Sequence, residues 1–139
     1  MQSSYIMNRL SEQMYVLADP QFSCPYVFEY VPARKLFGKI ELLDQKIIEN
    51  WNDTIKPSDT VLCLGDFMNG NHSMDESIRR LGDFSRQLNG KKLLLRGNHD
   101  NIETAKYYDS GWMSLIEYPL LMINGTMEWL TVPSKYCAC

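Results

Sequence analysis

A chain of 139 residues with 45% hydrophobic content supports one domain built on one core and leaves no room for a second. A net charge of -3, with no run of lysine and arginine, argues against a sequence-neutral grip on nucleic acid phosphates. No apolar stretch approaches the roughly 20 residues of a membrane span, so direct nucleic acid binding and bilayer insertion are both set aside.

Residues 1–13 form a polar lead-in with Arg9 as the only basic group, which carries no secretory pattern and points to the cytoplasm. Four cysteines, Cys24, Cys63, Cys137 and Cys139, could make two disulfides. Cys63, however, sits inside an apolar strand pattern and is more simply a small buried side chain, which favours a reducing compartment.

In chain order, Met14-Tyr15-Val16-Leu17-Ala18 predicts a buried strand ended by Asp19-Pro20. The proline restricts Asp19 to an extended conformation and leaves its carboxylate free to point forward. Gln21 to Pro32 reads as an ordered loop. Leu36, Ile40, Leu43, Ile47, Trp51 and Ile55 then recur every three or four positions and predict a helix of about five turns. Lysines and glutamates lie on its far side, and Pro57-Ser58-Asp59 turns the chain.

Thr60-Val61-Leu62-Cys63-Leu64 predicts a second buried strand, stopping at Gly65-Asp66. Beyond a loop running to His72, Ser73-Met74-Asp75-Glu76 matches a capping box, with Ser73 as N-cap and Glu76 reaching back. The helix that follows buries Met74, Ile78, Leu81 and Leu88 and ends at Asn89-Gly90. Leu93-Leu94-Leu95 predicts a third strand, buried on both faces, that stops at Gly97 with Asn98, His99 and Asp100 directly behind it.

Three strands alternating with two helices give an α/β chain with a parallel βαβαβ core. Asp19, Asp66 and the Asn98-His99-Asp100 cluster then finish on one rim, and two carboxylates, an amide oxygen and an imidazole suit zinc, manganese or iron. Asn101 caps a brief helix running to Asp109, Ser110-Gly111 ends it, and Leu115 to Tyr118 reads as a strand. Apolar runs flanking Asn124-Gly125 predict a C-terminal β-hairpin, followed by a tail over residues 131–139.

Asp19-Pro20-Gln21, Gly65-Asp66 and Gly97-Asn98-His99-Asp100 resemble the first three motifs of the calcineurin-like metallophosphoesterases. Similar words to those of the small bacterial and phage members stand at Glu49-Asn50-Trp51-Asn52, Lys56-Pro57, Leu64-Gly65-Asp66-Phe67 and Leu88-Asn89-Gly90-Lys91-Lys92. The resemblance covers most of Met14 to about Leu130. It implies a shortened form of that family's sandwich as one domain over residues 1–139, and a metal-dependent phosphoesterase site. By resemblance, Asp19 binds a first metal, Asp66 bridges two, Asn98 binds the second, and His99 binds or faces the leaving group as an acid.

Two departures change what the resemblance implies. The first motif normally carries a histidine where this chain has Gln21, and the later ligand histidines are missing from Met127-Glu128-Trp129-Leu130-Thr131-Val132-Pro133. Only His72 and His99 exist, with Cys137 and Cys139 as conceivable replacement ligands. Asp19, Asp66, Asn98 and His99 then suffice for one divalent transition ion, zinc or manganese, and hold a second poorly.

The expectation is a metal-binding, catalytically impaired member of the fold that acts by binding. A nucleic-acid-processing nuclease is the partner suggested by analogy with phage-encoded, anti-CRISPR-like inhibitors, in the cytoplasm of a bacterium or an infected bacterium. The alternative is an active metal-dependent phosphodiesterase or phosphatase, working with fewer ligands or completed by homodimerisation.

Overall fold

A computed structural model describes residues 14–69 and 72–116, together with the backbone of residues 120–123 and 126–129. The elements are β1 (Met14–Leu17), α1 (Val27–Tyr30), a 3-10 turn (Pro32–Phe37), α2 (Ile40–Thr54), β2 (Thr60–Cys63), α3 (Met74–Gln87), β3 (Lys91–Leu95), α4 (Thr104–Asp109), β4 (Ser114–Ile116), β5 (Leu120–Ile123) and β6 (Thr126–Trp129). Strands β1 to β4 form one parallel sheet in sequence order, while β5 and β6 pair antiparallel as the hairpin expected across Asn124-Gly125. The α/β class, the parallel core and the hairpin therefore stand as the sequence predicts. Because all four strands of the larger sheet run the same way, the loops after β1, β2 and β3 leave from one edge.

Strand position explains where burial departs from the pattern. In β2 and β3, which have neighbours on both sides, Val61, Cys63, Leu93 and Leu94 are buried. Among the described residues β1 pairs only with β2, so the run expected to be buried stands at the edge of the described sheet, and its Val16 stays 54% exposed.

The five-turn helix expected from Leu36 onward is two pieces. Gly38, at φ 70°, breaks the chain between the 3-10 turn and α2, and Leu36 is left 92% exposed. From Leu43 onward most of the stripe does bury: Leu43, Trp51 and Ile55 are in the core, Ile47 is only partly buried and its neighbour Ile48 is buried in its place, and the Trp51 indole donates to the Asn89 carbonyl at 2.9 Å. Gln21 to Pro32 is likewise more structured than expected, since it contains α1.

The capping box is half correct. Ser73 Oγ accepts from the Glu76 amide at 3.3 Å, but the Glu76 carboxylate turns to Arg79 and Arg80 at 2.7 and 2.6 Å, and those two cations hold it down at about 2. Met74 is 52% exposed, whereas Leu81 and Leu88 are buried as expected. The N-cap of α4 is Glu103 rather than Asn101, and β4 spans Ser114–Ile116, while Glu117 and Tyr118 of the expected strand lie outside the described residues.

An aromatic cluster lies close beneath the edge where the loops emerge. Phe22 sits 5.1 Å from Phe67 and 4.7 Å from Phe84, and Phe67 meets Trp112 edge-on at 4.9 Å. Such offset and edge-on pairs add about 0.5–1.5 kcal/mol each beyond burial alone, so the loops rest on a stiff floor. The Trp112 indole N–H donates to the buried Ser85 hydroxyl at 2.9 Å, which ties that floor to α3. Among the described residues, no helix is long and apolar enough to cross a membrane.

Candidate metal centre at the loop edge

The loop after β1 is laid along the loop after β2 by main-chain bonds. Asp19 N donates to Gly65 O at 3.2 Å, Gln21 N to Asp66 O at 3.1 Å and Phe22 N to Phe67 O at 3.0 Å, and Phe22 bridges Met68. This pairing forces three non-glycine residues of the first loop into the left-handed region: Asp19 at φ 50°, Gln21 at 56° and Ser23 at 60°. Asp19 is therefore not extended, as its proline neighbour predicts. The bonds to the second loop override the local preference. Asp66 is also left-handed, at φ 50°. Each such residue costs on the order of 1–2 kcal/mol, and such outliers concentrate at functional sites.

Two buried carboxylates hold this geometry. Asp44, 6% exposed on α2, accepts the Ser23 amide with both oxygens at 3.2 and 3.1 Å. Asp100, 2% exposed, accepts three main-chain amides: Asp66 N at 2.7 Å, Gly97 N at 2.8 Å and Phe67 N at 3.0 Å. Burial pushes each carboxyl up to about 6, against the downward pull of the amides it accepts. Asp100 stands in the cluster read from the sequence at the end of the third strand, though without this role, and Asp44 was not singled out at all. The signal for Asp44 was its place one helical turn from Ile40 and Ile48, among the inward positions of α2.

Asp66 is the meeting point. Its Oδ1 accepts the His99 amide at 3.1 Å, and its Oδ2 accepts the Gln21 side-chain amide at 3.4 Å. Gly97 passes so close that an added Cβ would run into the Asp66 carboxylate and lie 2.7 Å from its amide nitrogen. Gly65 and Gly97 approach backbone to backbone in the same way, a Cβ on Gly65 falling 3.0 Å from Gly97 Cα.

Asp19 stands on the solvent side of the same edge. Partial burial first, then the Asp66 charge, raises its carboxyl above the ordinary range, while Arg34 and His99 pull it down. Arg34 also donates to the Pro20 carbonyl at 3.4 Å, which sets a guanidinium beside the site. Asn98 is exposed and lies in sequence between Gly97 and His99, both of which lie against Asp66. His99 lines a cavity of about 210 Å³ whose other walls include Met68, Asn69, Ser77, Ile102 and Tyr107.

The main chain of His99 thus meets the Asp66 carboxylate, Asp19 lies within reach of both their charges, and Asn98 stands in the same loop as His99. His72 does not join them through any bond described: its Nε2 lies 3.0 Å from Ser23 Oγ, which also accepts from Arg80 at 2.8 Å. Cys137 and Cys139 lie outside the described residues. Cys63 is a buried thiol pushed up to about 12 by burial, so it is a core side chain and not a ligand.

The donor chemistry decides how much metal these residues can carry. Among the described residues, no group of three or more histidine, cysteine, aspartate or glutamate side chains is arranged to hold an ion. What the edge offers is two carboxylates, two amides and one imidazole, and the Gln21 Oε1 is buried with no hydrogen-bond partner. That oxygen-rich set, with one orphaned acceptor, is of the kind that fits a divalent cation with water completing its shell.

Known proteins resemble this chain in sequence and fold. The solved structure of AQ665, a protein of unknown function from Aquifex aeolicus, superposes with a TM-score of 0.55 at 25% identity, over 82% of this chain and 56% of that one. The uncharacterized protein MJ1445 of Methanocaldococcus jannaschii is 26% identical over 88 residues, which is 63% of this chain and 47% of that protein. The chain therefore spans about half the length of each of these relatives. Residues 15–136 match the model of the calcineurin-like phosphoesterases, whose members typically depend on divalent metal ions, and the chain belongs to that family.

Proposed function

We propose that the chain binds one divalent cation through Asp19, Asp66 and Asn98, receives a phosphate-bearing group beside His99, and hydrolyses phosphoesters only weakly. The observation that carries this reading is the convergence on Asp66: Gln21 and His99 bond its two oxygens, Asp19 feels its charge, and the cavity beside His99 leaves room for a ligand. When bound, a dication at this place supplies the positive charge that polarises a phosphoryl oxygen. Arg34 adds a cation that attracts the anionic group, and His99 is the residue on the cavity wall able to give a proton to a leaving oxygen. Weak hydrolysis follows from the donor set, because an amide at position 21 supports a transition ion less well than an imidazole does.

Turnover of a phosphodiester with manganese tests this. Asp66→Ala is expected to abolish it. His99→Ala is expected to cost about 10²-fold on a phenyl ester and much less on a nitrophenyl ester, whose leaving group needs no proton. Equal losses on both esters would remove His99 from the role of acid.

A second reading is a binding protein with no turnover, inhibiting a nuclease in the manner of phage-encoded defence inhibitors. The observation that favours it is a run of exposed apolar side chains: Tyr26 at 41%, Tyr30 at 61%, Val31 at 40% and Leu36 at 92%. Retained manganese without any phosphodiester cleavage would favour it over hydrolysis.

A further inference from the structure

Gln21 poses a problem of its own. Its side chain is only 6% exposed, its backbone is left-handed at φ 56°, and its Nε2 makes one long bond of 3.4 Å to Asp66 Oδ2. The other half of the amide, Oε1, is buried without a partner. An unsatisfied buried acceptor destabilises the fold, and the backbone strain adds to that. A methionine or leucine would fill the same volume without the penalty. The carboxylate beside it belongs to the residue on which the whole edge converges.

We propose that the Gln21 amide oxygen is a ligand to the cation held by Asp66, and that the site is thereby matched to an oxygen-preferring dication of the magnesium and manganese class. This deepens the proposed function and rests on its ion site. Oxygen donors from two carboxylates and two amides form the set hard cations take, with water completing the shell. The assignment also accounts for the Nε2 contact as that of the ion-free state: with no cation between them, an amide beside a carboxylate can only present its N–H. Rotation of the terminal amide by a half turn exchanges nitrogen for oxygen without moving the backbone.

The role separates two quantities that a purely structural glutamine would move together. Gln21→Met keeps the volume and removes the oxygen. In the full chain freed of metal by chelation, its melting temperature is expected to equal or exceed that of the parent, because the orphaned acceptor is gone. Calorimetric titration with Mn²⁺ is expected to show at least tenfold weaker binding. Gln21→Glu serves as the second variant, with the opposite pattern: lower ion-free stability, from two carboxylates side by side, and tighter Mn²⁺ binding.

Unchanged Mn²⁺ affinity in both variants, with the parent binding one ion, overturns the role of Gln21 and leaves the ion site standing. An ion-free melting temperature that falls in Gln21→Met along with the affinity assigns Gln21 to structure and also overturns it. Absence of Mn²⁺ binding by the parent chain removes the ion site itself and the proposed function with it.

Discussion

The loop after β1 and the loop after β2 lie side by side, yet they are held by different means. The second is fixed from the loop after β3: Asp100, three residues beyond Gly97, gathers the amides of Asp66, Phe67 and Gly97 on one carboxylate. The first is fixed from α2, where Asp44 accepts the single amide of Ser23. The second loop's clamp therefore sits in a neighbouring loop of the same edge and holds three amides, whereas the first loop's clamp sits on a helix that otherwise serves the core and holds one. The difference teaches that the pivot Asp66 is over-determined, while Asp19 and Gln21 depend on how well α2 is seated.

Removing the three-amide clamp should have the largest effect. Asp100→Ala leaves three main-chain amides without their acceptor, at about 1–3 kcal/mol each where no water replaces it. Chemical denaturation should show a loss of several kcal/mol together with loss of ion binding. A loss below about 1 kcal/mol would mean that the second loop holds itself.

Next comes Gly97→Ala, which presses a methyl group against the Asp66 carboxylate and amide. Overpacking of this kind costs about 1–3 kcal/mol, and Mn²⁺ titration should show the site lost while circular dichroism shows the fold retained.

The first clamp gives a smaller, pH-dependent effect. The Asp44 carboxyl lies at about 6 in the folded protein against an ordinary 3.8, so between those values the folded chain binds a proton that the unfolded chain does not. Its contribution is therefore fully present at low pH and is lost as pH rises through about 6. The melting temperature should rise by a few degrees as pH falls from 7.5 to 5, and Asp44→Asn should remove about half of that slope, the rest coming from Asp100, whose carboxyl also lies at about 6. A slope left unchanged in the variant would remove Asp44 as its source.

Smallest of all is Leu36→Ser. With the side chain 92% exposed, the change should stay within about 0.5 kcal/mol, which sharpens the boundary between the first loop's scaffold and the surface turn beyond it.

Much of the larger sheet and its edge was legible in the text. Apolar runs stopping at Asp19, Asp66 and Gly97 fixed both the parallel core and the meeting of their loops, because strand ends in such a sheet share one side. What escaped is what depends on pairing between distant residues. The edge position of β1 is set by sheet order, not by its own apolar run. The left-handed turns at Asp19 and Gln21 follow from bonds to Gly65 and Asp66 that no local propensity encodes. Asp44 was hidden because a carboxylate on a helix ordinarily faces water. Glu76 satisfied a capping pattern in spelling, but two arginines nearby outcompeted the backbone amide for it.

Manganese stoichiometry is the most direct test of the central claim that Asp66 gathers one cation with Asp19 and Asn98. Calorimetric titration of chelator-treated protein should return one ion per chain, and none after Asp66→Ala. Two ions per chain, or one ion that survives the loss of Asp66, would contradict it.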